Sequence, residues 1–142
     1  GYVSSGERRM PEELGINGKL DYFHKFEYHV PYKEVGSENE ICGTLVGVID
    51  KDTKLKEIEG EIDEIKWITA EELIKEIKKN PEIYCPWMLI ALELLDKSKK
   101  DMLKKHENVL STWINNEIHG DLQEAIKTHL PKEKWRLLDE EN

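Results

Sequence analysis

The chain has 142 residues, of which 36% are charged and 8% aromatic, which is enough for one domain with a real core. Thirty acidic against 21 basic residues leave a net charge of −9, which argues against the basic surface that nonspecific nucleic-acid binding needs. No apolar run approaches the roughly 20 residues that span a bilayer and no signal-peptide pattern opens the sequence, so a cytoplasmic protein with no membrane partner is expected.

The first stretch, GYVSSGERRMPEELGI, ends as an acidic helix should, with Gly15 placed to cap it. Glu12 and Glu13 stand about 100° apart around a helix, so only one can point squarely at a given ligand. Asn17-Gly18 marks a turn, and residues 20–30 are rich in aromatic and β-branched side chains, as a strand should be. Residues 31–38 read as a hairpin loop, and 41–50 as a short buried strand. A charged connection over 50–59 leads to residues 61–67, EIDEIKW, which alternate as a half-exposed strand.

Thr69 with Glu72 three residues later forms a capping-box pattern that opens a helix over 70–79. A second helix over 86–95 begins with Pro86 in its first turn. Strands followed by helices indicate an α+β domain. From 96 to 142 the composition turns to charged helix. Leu103, Val109, Leu110, Trp113 and Ile114 make one apolar stripe, Gly120 is expected to break the run, and Leu122, Ile126 and Leu130 make a second stripe before Pro131. These stripes are expected to cover either the domain or a partner subunit, so an oligomer through the C-terminal helices stays open.

Glu38, Glu40 and Cys42 alternate in SENEIC, and on a strand they share one face with neighbours about 6 to 7 Å apart. Burying carboxylates without partners is costly, and metal binding would supply the partner. A solvated loop is the competing reading, and for Cys42 a small buried hydrophobe. Cys42 and Cys85 are too few for a disulfide framework and form no C-x-x-C pair, so both are expected as reduced thiols. His24 and His29 read either as ligands or as packed or surface residues, with His24 on the strand face of Tyr28.

Residues 1–16 resemble a Nudix box, G-x5-E-x7-R-E-U-x-E-E-x-G-U with U bulky and apolar, in two halves. Gly1 and Glu7 fit the first half; Arg8, Met10, Glu12, Glu13, Gly15 and Ile16 fit the second, with nothing where x7 should part Glu7 from Arg8. The ordered series FEY at 26–28, GSENEIC at 36–42, EIDEIKW at 61–67 and CPW at 85–87 is similar to type I isopentenyl-diphosphate isomerases, which are Nudix-fold enzymes. The resemblance covers residues 1–95.

That resemblance implies a Nudix-type mixed sheet flanked by helices over 1–95, a helical extension over 96–142, and isomerisation of isopentenyl diphosphate to dimethylallyl diphosphate in isoprenoid biosynthesis. It implies that Glu38 and Glu40 ligate metal, that Glu40 is also the acid/base at carbon, and that Tyr28 hydrogen-bonds in the proton-transfer network. Trp87 would face the developing carbocation with its ring, and Glu13 would hold a Mg²⁺ that bridges the diphosphate. The implied cofactor is Mg²⁺ or Mn²⁺, with a second divalent metal such as Zn²⁺ at Glu38 and Glu40. Arg9 stands where Nudix hydrolases carry glutamate; it can grip phosphate oxygens and favours isomerisation over hydrolysis.

Some positions depart from the pattern. The family's second acid/base, a cysteine before the box glycine, and two histidine ligands would precede Gly1, and Tyr2 stands where a third histidine belongs. A phenol with pKa near 10 is a poor substitute. The N-terminal strands and the middle of the box are expected to be omitted residues, and if those are helical the helix should kink or restart near Met10, beside Pro11. The alternatives are a Nudix hydrolase of a nucleoside diphosphate derivative and a catalytically inactive Nudix binding module.

Overall fold

The computed structural model describes residues 1–31, 37–50, 52–55, 65–130 and 134–138. They group into two compact units, Gly1–Tyr22 with Leu45–Ile68, and Phe23–Thr44 with Thr69–Asn142.

The first unit is built on helix α1 (Tyr2–Leu14), which passes without a break through Glu7 and Arg8. Nor does it restart at Met10. Pro11 lies inside the helix, where it removes the N–H that would bond the Glu7 carbonyl. Gly15 closes α1 as anticipated: its φ of 70° is left-handed, and its N–H reaches the Pro11 carbonyl at 3.1 Å. At Gly6 a Cβ would lie 2.5 Å from Leu45 Cδ1 and 2.9 Å from Leu20 Cδ1, so only glycine lets both leucines sit against the helix.

Three strands form one sheet in the order β2-β1-β3: β1 (Asp21–Pro31), β2 (Ser37–Val46) and β3 (Trp135–Leu137). β1 begins one residue later than the sequence suggests. β2 begins earlier and stops at Val46. Among the described strands it pairs with β1 alone. β3 runs antiparallel to β1, with Phe26 opposite Leu137, Glu27 opposite Arg136 and Tyr28 opposite Trp135. The described sheet is therefore a small three-stranded antiparallel one, and the C-terminal segment is not wholly helical. Of the strand anticipated over 61–67, residues 61–64 lie outside the described set. Ile65–Trp67 has no regular structure, and Trp67 is exposed.

The second unit holds helices α2 (Ala70–Lys79), α3 (Pro86–Glu93), α4 (Lys100–Lys105), α5 (Glu107–Leu110) and α6 (Asn116–His129). α2 starts where its cap dictates, with Thr69 Oγ1 accepting the Glu72 N–H at 3.2 Å. Ile77, Leu89, Ile90, Leu122 and Ile126 are fully buried in one cluster that joins α2, α3 and α6. Gly120, expected to break a helix, sits within α6. One glycine costs a helix about 1 kcal/mol, which burial of Leu122 and Ile126 at some 2 kcal/mol each exceeds. In the earlier stripe Leu110 is buried and Val109 is exposed. No helix among the described residues is long and apolar enough to cross a membrane.

Candidate functional site

Alternation along β1 sends His24, Phe26 and Tyr28 to one face, and all three are buried. Their rings form a ladder, 6.1 Å between the centres of His24 and Phe26 and 6.0 Å between Phe26 and Tyr28. Trp87 continues it, its ring centre 6.1 Å from that of Tyr28 at 31° between planes. Trp87 is the second residue of α3, which Pro86 starts with its φ already helical. Trp135 of β3, opposite Tyr28, is also buried and donates its indole N–H to the Leu130 carbonyl at 3.3 Å.

The phenol of Tyr28 donates to Glu40 Oε2 at 3.5 Å, a long hydrogen bond that is partly buried. Cys42, two residues further along β2, shares the face of Glu40 and packs against the core cluster. Burial pushes its thiol pKa up, the Tyr28 hydroxyl opposes that, and the charges of Glu40 and Cys85 add to it. The thiol is consequently protonated at neutral pH. Glu38 belongs to β2, but its side chain lies outside the described residues. Of the anticipated site residues, Tyr28 thus touches both Glu40 and Trp87 within one unit.

Arg9 and Glu13 belong to the other unit, on α1. Arg9 Nε and Nη2 both donate to Glu13 Oε1, at 2.8 and 2.5 Å, across one helical turn. With side chains 52% and 38% exposed, the pair contributes a few tenths of a kcal/mol, so a phosphate or cation could displace either partner at small cost. Glu7, the glutamate of the first half of the box, accepts the Leu20 N–H at 2.8 Å and so anchors α1 to the chain entering β1. Tyr2 stacks on Tyr22, with ring centres 6.1 Å apart.

Among the described residues no group of three or more His, Cys, Asp or Glu side chains could hold a metal ion. His24 is a packed residue: it is fully buried, with Nε2 3.2 Å from the Ala91 carbonyl. Burial lowers its pKa to about 4, against smaller opposing effects of that carbonyl and of Asp96. His29 is exposed.

Sequence reasoning missed the role of a second buried histidine. His119 Nε2 lies 3.2 Å from the Glu93 carbonyl, which also accepts Gln123 Nε2 at 3.0 Å, so α6 satisfies the end of α3. The signal was present, since His119 precedes Leu122 and Ile126 by three and seven residues and shares their buried face.

Similarity to known proteins bears on what this cluster does. A protein from Ruegeria pomeroyi named isopentenyl-diphosphate Delta-isomerase is 34% identical over 86 residues, 60% of this chain and 48% of that protein. The chain is similar to isopentenyl-diphosphate Delta-isomerases. One of the same name from Cereibacter sphaeroides is 31% identical over 86 residues, 60% of this chain and 49% of its own length. Isopentenyl-diphosphate Delta-isomerase 1 of Photorhabdus laumondii is 34% identical over 101 residues, 70% of this chain and 52% of its own. The chain thus spans about half the length of the curated relatives it matches. No protein-family model and no solved structure matches it.

Proposed function

We propose that this chain carries acid/base machinery for isomerising isopentenyl diphosphate to dimethylallyl diphosphate, on a Nudix-type fold. The observation that carries the proposal is the Tyr28 phenol, hydrogen-bonded to Glu40 at 3.5 Å and flanked by the Trp87 ring at 6.1 Å. Double-bond transposition needs a proton delivered to the terminal alkene carbon, a tertiary cation shielded from water, and a proton removed from the neighbouring carbon. Glu40 is the acid/base at carbon in this reading, and Tyr28 holds its carboxylate. Trp87 offers an electron-rich face to the cation. The names of the similar proteins support the same chemistry.

Arg9 is the proposed phosphate-binding residue, since its guanidinium can exchange Glu13 for a phosphate oxygen pair. Glu13 is the proposed carboxylate for a Mg²⁺ or Mn²⁺ that would sit on the diphosphate, and Glu38 and Glu40 are the proposed carboxylates for the catalytic divalent metal, Mg²⁺, Mn²⁺ or Zn²⁺. A bound cation would neutralise the diphosphate. Product analysis tests the whole: the chain is incubated with isopentenyl diphosphate and each metal, then with chelator, and followed by ¹H and ³¹P NMR. Dimethylallyl diphosphate without phosphate release, lost on chelation and restored by metal, is expected. Phosphate release would indicate hydrolysis instead, and absence of any turnover would leave a binding module.

A further inference from the structure

We infer that Trp135 of β3 is a positioning residue, which holds the ring of Tyr28 so that the phenol stays on Glu40. The register leads there. β3 runs antiparallel to β1 with Trp135 directly opposite Tyr28. Residues opposite one another in an antiparallel pair project to the same face, with Cβ atoms about 4.5 to 5.5 Å apart. Both side chains are buried, Tyr28 at 3% and Trp135 at 7% exposure, and both belong to one core cluster. The rings of Phe26 and Trp87 lie 6.0 and 6.1 Å from that of Tyr28, and Trp135 adds a neighbour from the adjacent strand.

Trp135 is itself fixed. Its indole N–H donates to the Leu130 carbonyl at 3.3 Å in a buried bond, and Leu130 is the residue that ends α6. Leu122 and Ile126 of α6 belong to the same cluster, so the indole is tied to a helix already anchored in the core. The strand register is held on either side of Trp135 as well: Arg136 Nε lies 3.4 Å from Glu27 Oε1 on the other face, and the Leu138 N–H donates to the Lys25 carbonyl at 3.0 Å. A slip of one residue would turn Trp135 away from Tyr28. The bond from Tyr28 to Glu40 is long, at 3.5 Å, so a small freedom of the ring breaks it. Trp135 lies outside residues 1–95, over which the chain resembles the isomerases, so the extension supports the site as well as covering the domain.

The kinetic part of this inference rests on the isomerase reading; the ring-holding part does not, and the experiment separates them. In the full chain with ring-labelled tyrosine and phenylalanine, NMR reads the rates at which the rings of Tyr28 and Phe23 flip. Phe23 is fully buried on the opposite face of β1, where its ring centre lies 5.5 Å from that of His106. Trp135→Leu should speed the flipping of Tyr28 by about tenfold or more and leave Phe23 unchanged, because the space opens on one face only. General loosening of the fold would speed both rings. Equal acceleration of the two, or an unchanged Tyr28, overturns the proposal.

Isomerase kinetics supply the second arm. Trp135→Leu is expected to lower kcat about tenfold with KM unchanged, and Trp135→Phe, which keeps an aromatic ring across from Tyr28, to recover most of it. In a Tyr28→Phe background there is no hydroxyl to hold, so there Trp135→Leu should lower kcat by less than about twofold. Equal factors in the two backgrounds, as a merely structural role would give, or wild-type kcat in Trp135→Leu, overturn the positioning role. Where Trp135→Leu does not fold, Trp135→Met, which fills more of the indole's volume, is read in its place in both arms. If the wild-type chain does not isomerise, the functional reading fails and the ring-flip arm still decides whether Trp135 holds Tyr28.

Discussion

Replacing His24 tests how the buried face of β1 is held together. Its Nε2 must donate to the Ala91 carbonyl 3.2 Å away, which leaves Nδ1 as a buried acceptor with no hydrogen-bond partner. Protonation would place a charge there, and burial accordingly lowers the pKa from 6.5 to about 4. At roughly 1.4 kcal/mol per pH unit, charging His24 in the folded state costs about 3 kcal/mol. Because the folded value lies below the unfolded one, the unfolded chain binds the extra proton between those pH values. Stability is therefore complete above pH 6.5 and is lost as pH falls toward 4. Glutamine keeps an N–H for Ala91 and does not titrate. Urea denaturation at pH 7.5 and pH 5 should show wild type losing about 2 kcal/mol more than His24→Gln between the two conditions. Carboxylate titrations are common to both proteins and cancel. An equal loss in the two would refute the buried neutral histidine.

Other perturbations read the helices. Gly120→Ala should stabilise the chain by about 1 kcal/mol in urea denaturation, since a Cβ there meets nothing within 4 Å; destabilisation would mean that α6 does not pass through Gly120. Leu122→Ala, at a fully buried position, should cost about 3 kcal/mol, and a loss under 1 kcal/mol would contradict its place in the core. Pro11→Ala should restore the bond to the Glu7 carbonyl and raise the helical circular dichroism of α1, with up to about 3 kcal/mol gained; no change would argue against a continuous Tyr2–Leu14 helix.

Local signals were legible where they act locally. The bounds of α2 follow from Thr69 and Glu72 at its start, and Gly15 ends α1 for the reason its residue type suggests. Period-two alternation put Tyr28 on the face of His24, and that face is buried. β3 was not legible, because Trp135, Arg136 and Leu137 are strand only by pairing with β1, more than a hundred residues earlier in sequence. Gly120 misled for the same reason, since tertiary burial on α6 overrides its propensity. Within the site, the resemblance to isopentenyl-diphosphate isomerases singled out Glu40, Tyr28 and Trp87, whereas their shared contact at Tyr28 comes from the fold.

The central claim is that Glu40 moves protons at carbon, and isotope incorporation measures that directly. Isopentenyl diphosphate is incubated in D₂O with Mg²⁺ or Mn²⁺ and either wild-type chain or Glu40→Gln, and ²H NMR reads deuterium in the methyl groups of the dimethylallyl product. Wild type should incorporate deuterium at a steady rate, and Glu40→Gln should fall by about a hundredfold or more while its urea midpoint stays close to wild type. Incorporation by Glu40→Gln at the wild-type rate, or none by wild type, would contradict the account.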